Sequence, residues 1–123
     1  MVSFRETDEH VTFFEQLGSD RAGPVVLMNT FHVDAEEVEA FLAAWEVDAA
    51  FMKEQPGYVS TQLHRGIAGS TTFVNVAQWE SVTDMRNAVS QPEFQAQMAN
   101  YPESASASPH LFEKVAVAGI CGG

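Results

Sequence analysis

Two segments of this sequence, residues 25–31 and 71–79, constrain the fold most strongly, because each would be apolar on both faces of a β-strand. Side chains alternate between the two faces of a strand. This alternation assigns the side chains of the first segment to two faces, Val25, Leu27, Asn29 and Phe31 to one and Val26, Met28, Thr30 and His32 to the other. Apolar residues of this kind favour a strand that is covered on both sides. The sequence therefore predicts a sheet that needs a cover on each face.

Two helices are predicted between the extended segments. Asp34 and Glu37 have the spacing of a helix-capping pair, and apolar residues recur every three or four positions after them, so we expect a helix over residues 35–54. Ser81 can cap a second helix, which Pro92 would continue.

The other extended segments are residues 58–65 and 111–117, and the small polar residues 102–109 are predicted to form a surface loop. The order strand, helix, strand, strand, helix, strand predicts an α+β, ferredoxin-like βαββαβ fold with a four-stranded antiparallel sheet. The predicted parts of the chain are an N-terminal arm with one helical turn (1–24), the ferredoxin-like domain (25–117) and a flexible C-terminal tail (118–123).

The second face of this sheet has no predicted cover within the chain. Two helices can cover only one face of a four-stranded sheet, and an exposed apolar face invites association. The same face of a second copy, related by a twofold axis, is the simplest cover. The sequence therefore predicts a homodimer.

The charge balance limits the class of ligand. The chain of 123 residues carries 17 Asp and Glu against 6 Lys and Arg, a formal net charge of −11. This argues against binding nucleic acid or an anionic membrane, and no apolar run approaches the ~20 residues that span a bilayer. A small uncharged or aromatic ligand fits better. Cys121 is the only cysteine and the N-terminus does not resemble a secretion signal, so we expect a cytoplasmic protein without an intrachain disulfide.

Two asparagines depart from the apolar pattern of the strands. Asn29 lies in the first segment, and Asn75 shares a strand face with Phe73 and Trp79. A carboxamide offers two N–H donors and a carbonyl without charge, so the pair could hold the oxygen of a phenol, ketone or enolate in a dry cavity. Trp79 would add a flat surface and one N–H donor. Each of these residues could instead serve only packing or backbone hydrogen bonding.

A histidine near the end of the extended segment 58–65 is a second candidate. His64 could exchange a proton near neutral pH or simply face solvent, and Tyr58 and Gln62 would share its face of a regular strand. The histidines show no metal-ligand spacing, and no glycine-rich loop joins a strand to a helix. Neither a metal nor a nucleotide cofactor is predicted.

The chain resembles the antibiotic biosynthesis monooxygenase family in four blocks at characteristic spacing. The blocks are residues 26–31, 54–58, 62–65 and 73–81. The last block contains the N-x-x-x-W pattern of Asn75 and Trp79. This resemblance, which spans about residues 25–117, implies a dimeric α+β barrel. The relatives that this chain resembles most belong to aromatic polyketide pathways, where they oxidise an anthrone or naphthacenone to a quinone with O2 and without metal or flavin.

The resemblance also implies roles for individual residues. Asn29, Asn75 and Trp79 match residues implicated in catalysis, and His64 matches a pocket histidine of some members. The side chains expected to contact the substrate are Leu27, Phe31, Trp45, Met52, Tyr58 and Phe73. The chain is therefore expected to be a cofactor-free monooxygenase that acts on a small aromatic substrate with O2.

Two other functions remain open on the same fold. One is a non-redox polyketide cyclase or small-ligand-binding protein, and the other is a heme-binding or heme-degrading protein. Heme-degrading members of the superfamily bind iron through a histidine on the second helix, and residues 81–99 contain none. The heme function is therefore the least favoured.

Overall fold

The computed structural model describes all 123 residues and shows a five-stranded sheet with helices packed against one of its faces. The strands are β1 (Ser3–Phe4), β2 (Val25–His32), β3 (Tyr58–Arg65), β4 (Thr72–Trp79) and β5 (Ser106–Phe112). The helices are α1 (Phe13–Leu17), α2 (Val38–Lys53), α3 (Val82–Val89) and α4 (Pro92–Met98), and a 3₁₀ turn (Ala35–Glu37) precedes α2. The strand order is β1-β5-β2-β4-β3, and only the β1–β5 pair is parallel.

The predicted α+β, ferredoxin-like arrangement is confirmed by β2 to β5 and the helices between them. The sheet has one strand more than predicted because the N-terminal arm contributes β1. The N–H of Arg5 donates to the carbonyl of Ala107 at 2.8 Å, which pairs the arm in parallel with β5. The predicted helical turn of the arm is α1, which Thr12 caps by accepting the N–H of Glu15.

The last strand is offset from its predicted position. β5 spans Ser106–Phe112, whereas the sequence predicted a strand over 111–117 and a surface loop over 102–109. Ala105 and Ala107 are almost fully buried and belong to the core cluster that also contains aromatic rings. Their small size lets β5 pack closely against these neighbours, so a segment with little hydrophobic signal is nevertheless a core strand.

Pro109 lies inside β5, although a residue without an N–H is normally excluded from a central strand. Backbone groups of alternate residues point to opposite sides of a strand, and the carbonyl of Ala107 points to the arm, where it accepts the N–H of Arg5. The nitrogen of Pro109, two residues further along, therefore also points away from β2. Because β1 ends at Phe4, no residue of β1 lies opposite this nitrogen. The missing donor costs no hydrogen bond between β5 and β2.

The central strands β2 and β4 pair without interruption, but the register of β3 against β4 shifts between Tyr58 and Ser60. This bulge changes the alternation along β3, so Tyr58 faces the helices while Gln62 and His64 face the opposite side. The expectation that these three side chains share a face is therefore wrong.

The helix-covered, inner face of the sheet carries two separate groups of buried side chains. One group contains Phe31, Phe73 and, from α2, Phe41. The other contains Trp79 and, from α3, Met85. Both groups form because the inner positions of the strands and the apolar sides of the helices exclude water together. The opposite, outer face of the sheet carries no helix.

The helix starts follow the predicted caps in one case and depart from them in another. Ser81 caps α3 by accepting the N–H of Asp84 at 3.1 Å. The side chain of Asp34 makes no cap hydrogen bond, and its backbone N–H donates to the hydroxyl of Ser104 at 3.0 Å. Glu37 accepts the N–H of Ser104, so the predicted capping pair anchors the segment before β5 instead. None of the helices has the length and hydropathy needed to cross a lipid bilayer.

The turn between α2 and β3 depends on Gly57, whose φ is +87° and where a Cβ would overlap the side chain of Asp84. We expect Gly57→Ala to lower the free energy of unfolding by about 2–4 kcal/mol, through left-handed backbone strain plus the collision. Gly23→Ala is the control, because Gly23 has a φ of +91° with no atom within 4 Å of a Cβ. Its loss in urea titrations should be about 1–2 kcal/mol. Equal losses of unfolding free energy in the two variants would show that the collision with Asp84 does not destabilise the Gly57→Ala variant.

Candidate active site

A cavity of about 800 Å³ lies between the inner face of the sheet and the helices, and its wall includes members of both groups of buried side chains. Of the 31 residues around it, 20 are hydrophobic, so the space suits an apolar ligand. No group of three or more His, Cys, Asp or Glu side chains could hold a metal ion. The few polar groups on the wall therefore decide which chemistry the cavity can support.

Asn29 on β2 and Asn75 on β4 lie directly opposite each other across the strand pair, and both line the cavity. The side-chain oxygen of Asn29 accepts the N–H of Ser108 at 3.1 Å, and that of Asn75 accepts the hydroxyl of Thr61. Because both oxygens are engaged, the two NH2 groups are left to donate to a ligand. The structure thus brings together the two amides that the sequence singled out.

Trp79 lies on the same strand face as Asn75 and is 1% exposed. Its ring packs edge-on against Tyr58, with centroids 5.8 Å apart and planes at 90°, which restrains the indole. The indole N–H has no acceptor within the chain, and the residue lines the same cavity as the amides. Three uncharged donor groups therefore belong to one apolar space.

Most of the predicted substrate contacts also line the cavity, namely Leu27, Phe31, Trp45, Met52 and Tyr58. Phe73 does not, although it lies on the predicted face of β4. It is 2% exposed and its ring packs against Phe41 of α2, with centroids 4.9 Å apart. The guanidinium of Arg65 lies 5.2 Å from the same ring. Phe73 is a core residue because α2 packs directly on the sheet at this position and leaves no space for a ligand.

His64 does not reach the cavity. It is exposed on the outer face of the sheet, where its Nδ1–H donates to the carbonyl of Val74 at 3.3 Å. The bulge in β3 is the cause, since it places His64 on the face opposite to the amides. Proton transfer by His64 to a ligand in this cavity has no support from its position.

Sequence reasoning missed an ionisable pair on the cavity wall, Asp48 of α2 and Tyr101, which follows α4. The hydroxyl of Tyr101 donates to Oδ2 of Asp48 at 2.7 Å, whereas Oδ1 is buried without a hydrogen-bond partner. Burial raises the pKa of Asp48 to about 6, against the opposing effect of the hydrogen bond from Tyr101. Burial and the nearby carboxylate raise the pKa of Tyr101 well above its ordinary value.

A signal for Asp48 was present in the sequence. The residue lies three positions after Trp45 and four before Met52, in the middle of the apolar stripe of α2, where a charged side chain is out of place. Tyr101 carried no comparable signal, because only the path of the chain after α4 brings it to Asp48. The pair is therefore a product of tertiary structure.

The N-terminal arm also forms part of the cavity wall, with Phe4, Phe13 and Leu17 among its contributions. The carboxamide of Gln16 accepts the N–H of Leu111 and donates to its carbonyl, both at 2.9 Å, and so pairs with the edge of β5 as a strand would. These bonds hold α1 in place beside the cavity. The sequence alone could not show that the arm covers a pocket.

The chain is similar to members of one family of oxygenases. The family model described as antibiotic biosynthesis monooxygenase matches residues 24–100. The structure of a proposed monooxygenase from Shewanella loihica PV-4 is 33% identical, with a TM-score of 0.67, and the match covers 79% of this chain and 99% of that one. SnoaB, a cofactor-independent oxygenase from Streptomyces nogalater, is 27% identical, with a TM-score of 0.67 and coverage of 80% and 99%.

More distant structures share the fold alone. A proposed antibiotic biosynthesis monooxygenase from Caulobacter crescentus CB15 is 17% identical, with a TM-score of 0.70, and the match covers 77% of this chain and 92% of that one. A search of curated protein sequences finds no match. The family model begins at residue 24, so residues 1–23 of the arm lie outside the matched region.

The environment of Asp48 predicts a pH-dependent stability. Its pKa rises from 3.8 to about 6 on folding, so the folded state binds the proton more tightly and this group lowers stability as pH rises through that range. Asp48→Asn removes the effect. In urea titrations its stability relative to wild type should therefore increase by about 2 kcal/mol between pH 4.5 and pH 7.5. A pH-independent difference would contradict the raised pKa, and Glu46→Gln, exposed on the same helix, is the control.

Proposed function

The chain belongs to the antibiotic biosynthesis monooxygenase family, and we propose that it is a cofactor-independent monooxygenase that oxidises an electron-rich phenolic or anthrone-type aromatic with O2. The observation that carries the proposal is the set of three uncharged donors, Asn29, Asn75 and Trp79, on the wall of one large apolar cavity. The similarity to SnoaB, a cofactor-independent oxygenase, supports the same kind of reaction.

A substrate of this kind supplies the electrons itself. Its carbanion or phenolate can reduce O2, whereas an unactivated C–H bond cannot. In an anthrone, the methylene carbon loses both hydrogens and gains one oxygen atom to become a quinone carbonyl. The second oxygen atom leaves with the two hydrogens as water. The overall reaction therefore balances without an external reductant.

The polar groups of the wall have distinct roles in this mechanism. The NH2 groups of Asn29 and Asn75 donate to the substrate oxygen on which negative charge develops as the enolate forms. The indole N–H of Trp79 orients the peroxide intermediate that forms from the enolate and O2. The apolar wall excludes water, which strengthens each of these hydrogen bonds.

The active form in this proposal is a cytoplasmic homodimer joined through the outer face of the sheet. No side chain of that face on β2 to β5 is a carboxylate, lysine or arginine, although the chain has a net charge of −11. Met28 and Phe112, on this face, are 39% and 38% exposed. A surface that lacks charge and exposes apolar groups favours association, and a twofold axis would pair it with itself.

Metal-free protein should consume O2 in the presence of 1,8-dihydroxyanthrone and release the corresponding anthraquinone. Asn75→Ala and Trp79→Ala should each lower kcat/KM about a hundredfold, since losing one donor to a developing anion costs roughly 3 kcal/mol. An oxygen electrode and the absorbance of the quinone measure the reaction. Asn87→Ala, at an exposed position of α3, is the control and should retain wild-type activity.

Three other results would redirect the assignment. Unchanged O2 uptake in both Asn75→Ala and Trp79→Ala would reject the proposed site. Binding of the anthrone without O2 uptake would favour a non-redox cyclase or ligand-binding protein on this fold. A specific Soret band on titration with hemin would favour heme binding.

Val76→Lys should convert the dimer into a folded monomer, because it places an ammonium group in the middle of the proposed interface on β4. Sedimentation velocity measures the mass in solution, and circular dichroism checks that the fold is intact. Val47→Lys is the matched control, since Val47 is 54% exposed on α2, away from the outer face of the sheet. A Val76→Lys variant that remains dimeric would place the interface elsewhere.

A further inference from the structure

The cavity wall contains one carboxylate with an unpartnered oxygen. Asp48 extends from α2 between Trp45 and Met52, which line the same cavity. Its Oδ2 accepts the hydroxyl of Tyr101 at 2.7 Å, while its Oδ1 is shielded from solvent and has no partner in the chain. A buried carboxylate oxygen without a partner destabilises the folded protein, and such groups concentrate at functional sites.

The other charged side chains on the wall are less suited to remove a proton from a ligand. Glu6, on the exposed arm, already accepts a backbone N–H of α1 at 2.9 Å. The guanidinium groups of Arg5 and Arg86 carry N–H donors only and offer no acceptor atom to a ligand. No ion pair joins Asp48 to any of these groups, and Tyr101 is its titratable hydrogen-bond partner.

We propose that Asp48 is the general base that converts the substrate into the anion that reacts with O2, an inference that rests on the proposed function. The carboxylate of Asp48 forms a new O–H bond as the C–H bond of an anthrone, or the O–H bond of a phenol, breaks. The electron pair stays on the substrate as the enolate or phenolate. The neutral carboxyl then returns the proton to the peroxide formed from that anion and O2, so Asp48 ends this sequence ionised.

Tyr101 is a positioning residue in this mechanism. Its hydroxyl donates to Oδ2 of Asp48 and fixes the carboxylate at the cavity wall, while Oδ1 is buried without a partner in the chain. The same hydrogen bond favours the carboxylate over the neutral acid and partly opposes the effect of burial on the pKa. With a pKa of about 6, Asp48 is ionised at neutral pH and more basic than an exposed aspartate, which suits general-base catalysis.

Asp48→Asn is the decisive variant, because it keeps the size of the side chain and an oxygen for Tyr101 but cannot accept the proton. With 1,8-dihydroxyanthrone at pH 7.5 it should lower kcat/KM by about a hundredfold or more. It should also abolish the rise of kcat/KM with pH that the wild type shows near pH 6. Glu46→Gln, exposed two residues away on α2, should retain both the rate and the pH profile.

Tyr101→Phe tests whether Tyr101 positions the carboxylate of Asp48 or only stabilises the fold. Removing the hydroxyl removes the hydrogen bond that lowers the pKa of Asp48. The rise of kcat/KM should therefore move to higher pH, with most of the wild-type rate recovered at pH 8. A uniform loss of activity at every pH, with no displacement of the profile, would overturn this role.

An anaerobic measurement tests the base without requiring oxidation. Without O2 at pH 7.5, 1,8-dihydroxyanthrone bound to wild-type protein should show the long-wavelength absorbance of its anion, and the complex with Asp48→Asn should show the neutral form. An unchanged rate, pH profile and anion spectrum in Asp48→Asn would overturn the inference and leave the monooxygenase proposal intact. Anion formation that depends on Asp48, without O2 uptake by the wild type, would support the base and reject the oxygenase.

Discussion

The uninterrupted antiparallel register of β2 with β4 is the constraint from which the site follows. It sets Asn29 directly opposite Asn75 and leaves Trp79 on the same face of the sheet. A slip by one residue would turn the inner side chains of the slipped strand to the outer face, so the amides would no longer meet. The buried apolar neighbours of the amides, such as Leu27 and Ala77, resist such a slip. The alternation that builds the core therefore also positions the polar donors.

The cavity exists because the helices cover the inner face of the sheet in two parts. Phe41 of α2 joins one group of buried side chains and Met85 of α3 joins the other, and the space of about 800 Å³ between sheet and helices remains open. Side chains around a void lose dispersion contacts, and the buried carboxylate of Asp48 adds a further destabilising interaction. Such features reduce stability and concentrate at functional sites. An apolar ligand that fills the cavity would restore the missing contacts.

Periodicity in the sequence located β2, β3 and β4 to within one residue, but it failed where the signal was weak or the geometry irregular. β5 was misplaced because a strand that contains Ala107 and two serines has little hydrophobic contrast. His64 was left on an undecided face, and only the bulge in β3 settled its position. Phe73 was assigned to the correct face, but whether it contacts a ligand or the core depends on where α2 lies.

By itself the sequence determined the α+β fold, the inner face of the regular strands and the choice of two amides and an indole as unusual residues. These are local properties, because alternation and helical spacing are set by neighbouring positions along the chain. Only the tertiary structure decided which side chains share the cavity, that the arm covers it, and that Asp48 is withdrawn from water and meets Tyr101. Those outcomes depend on contacts between distant segments, such as the 53 positions that separate Asp48 from Tyr101, and no local pattern records them.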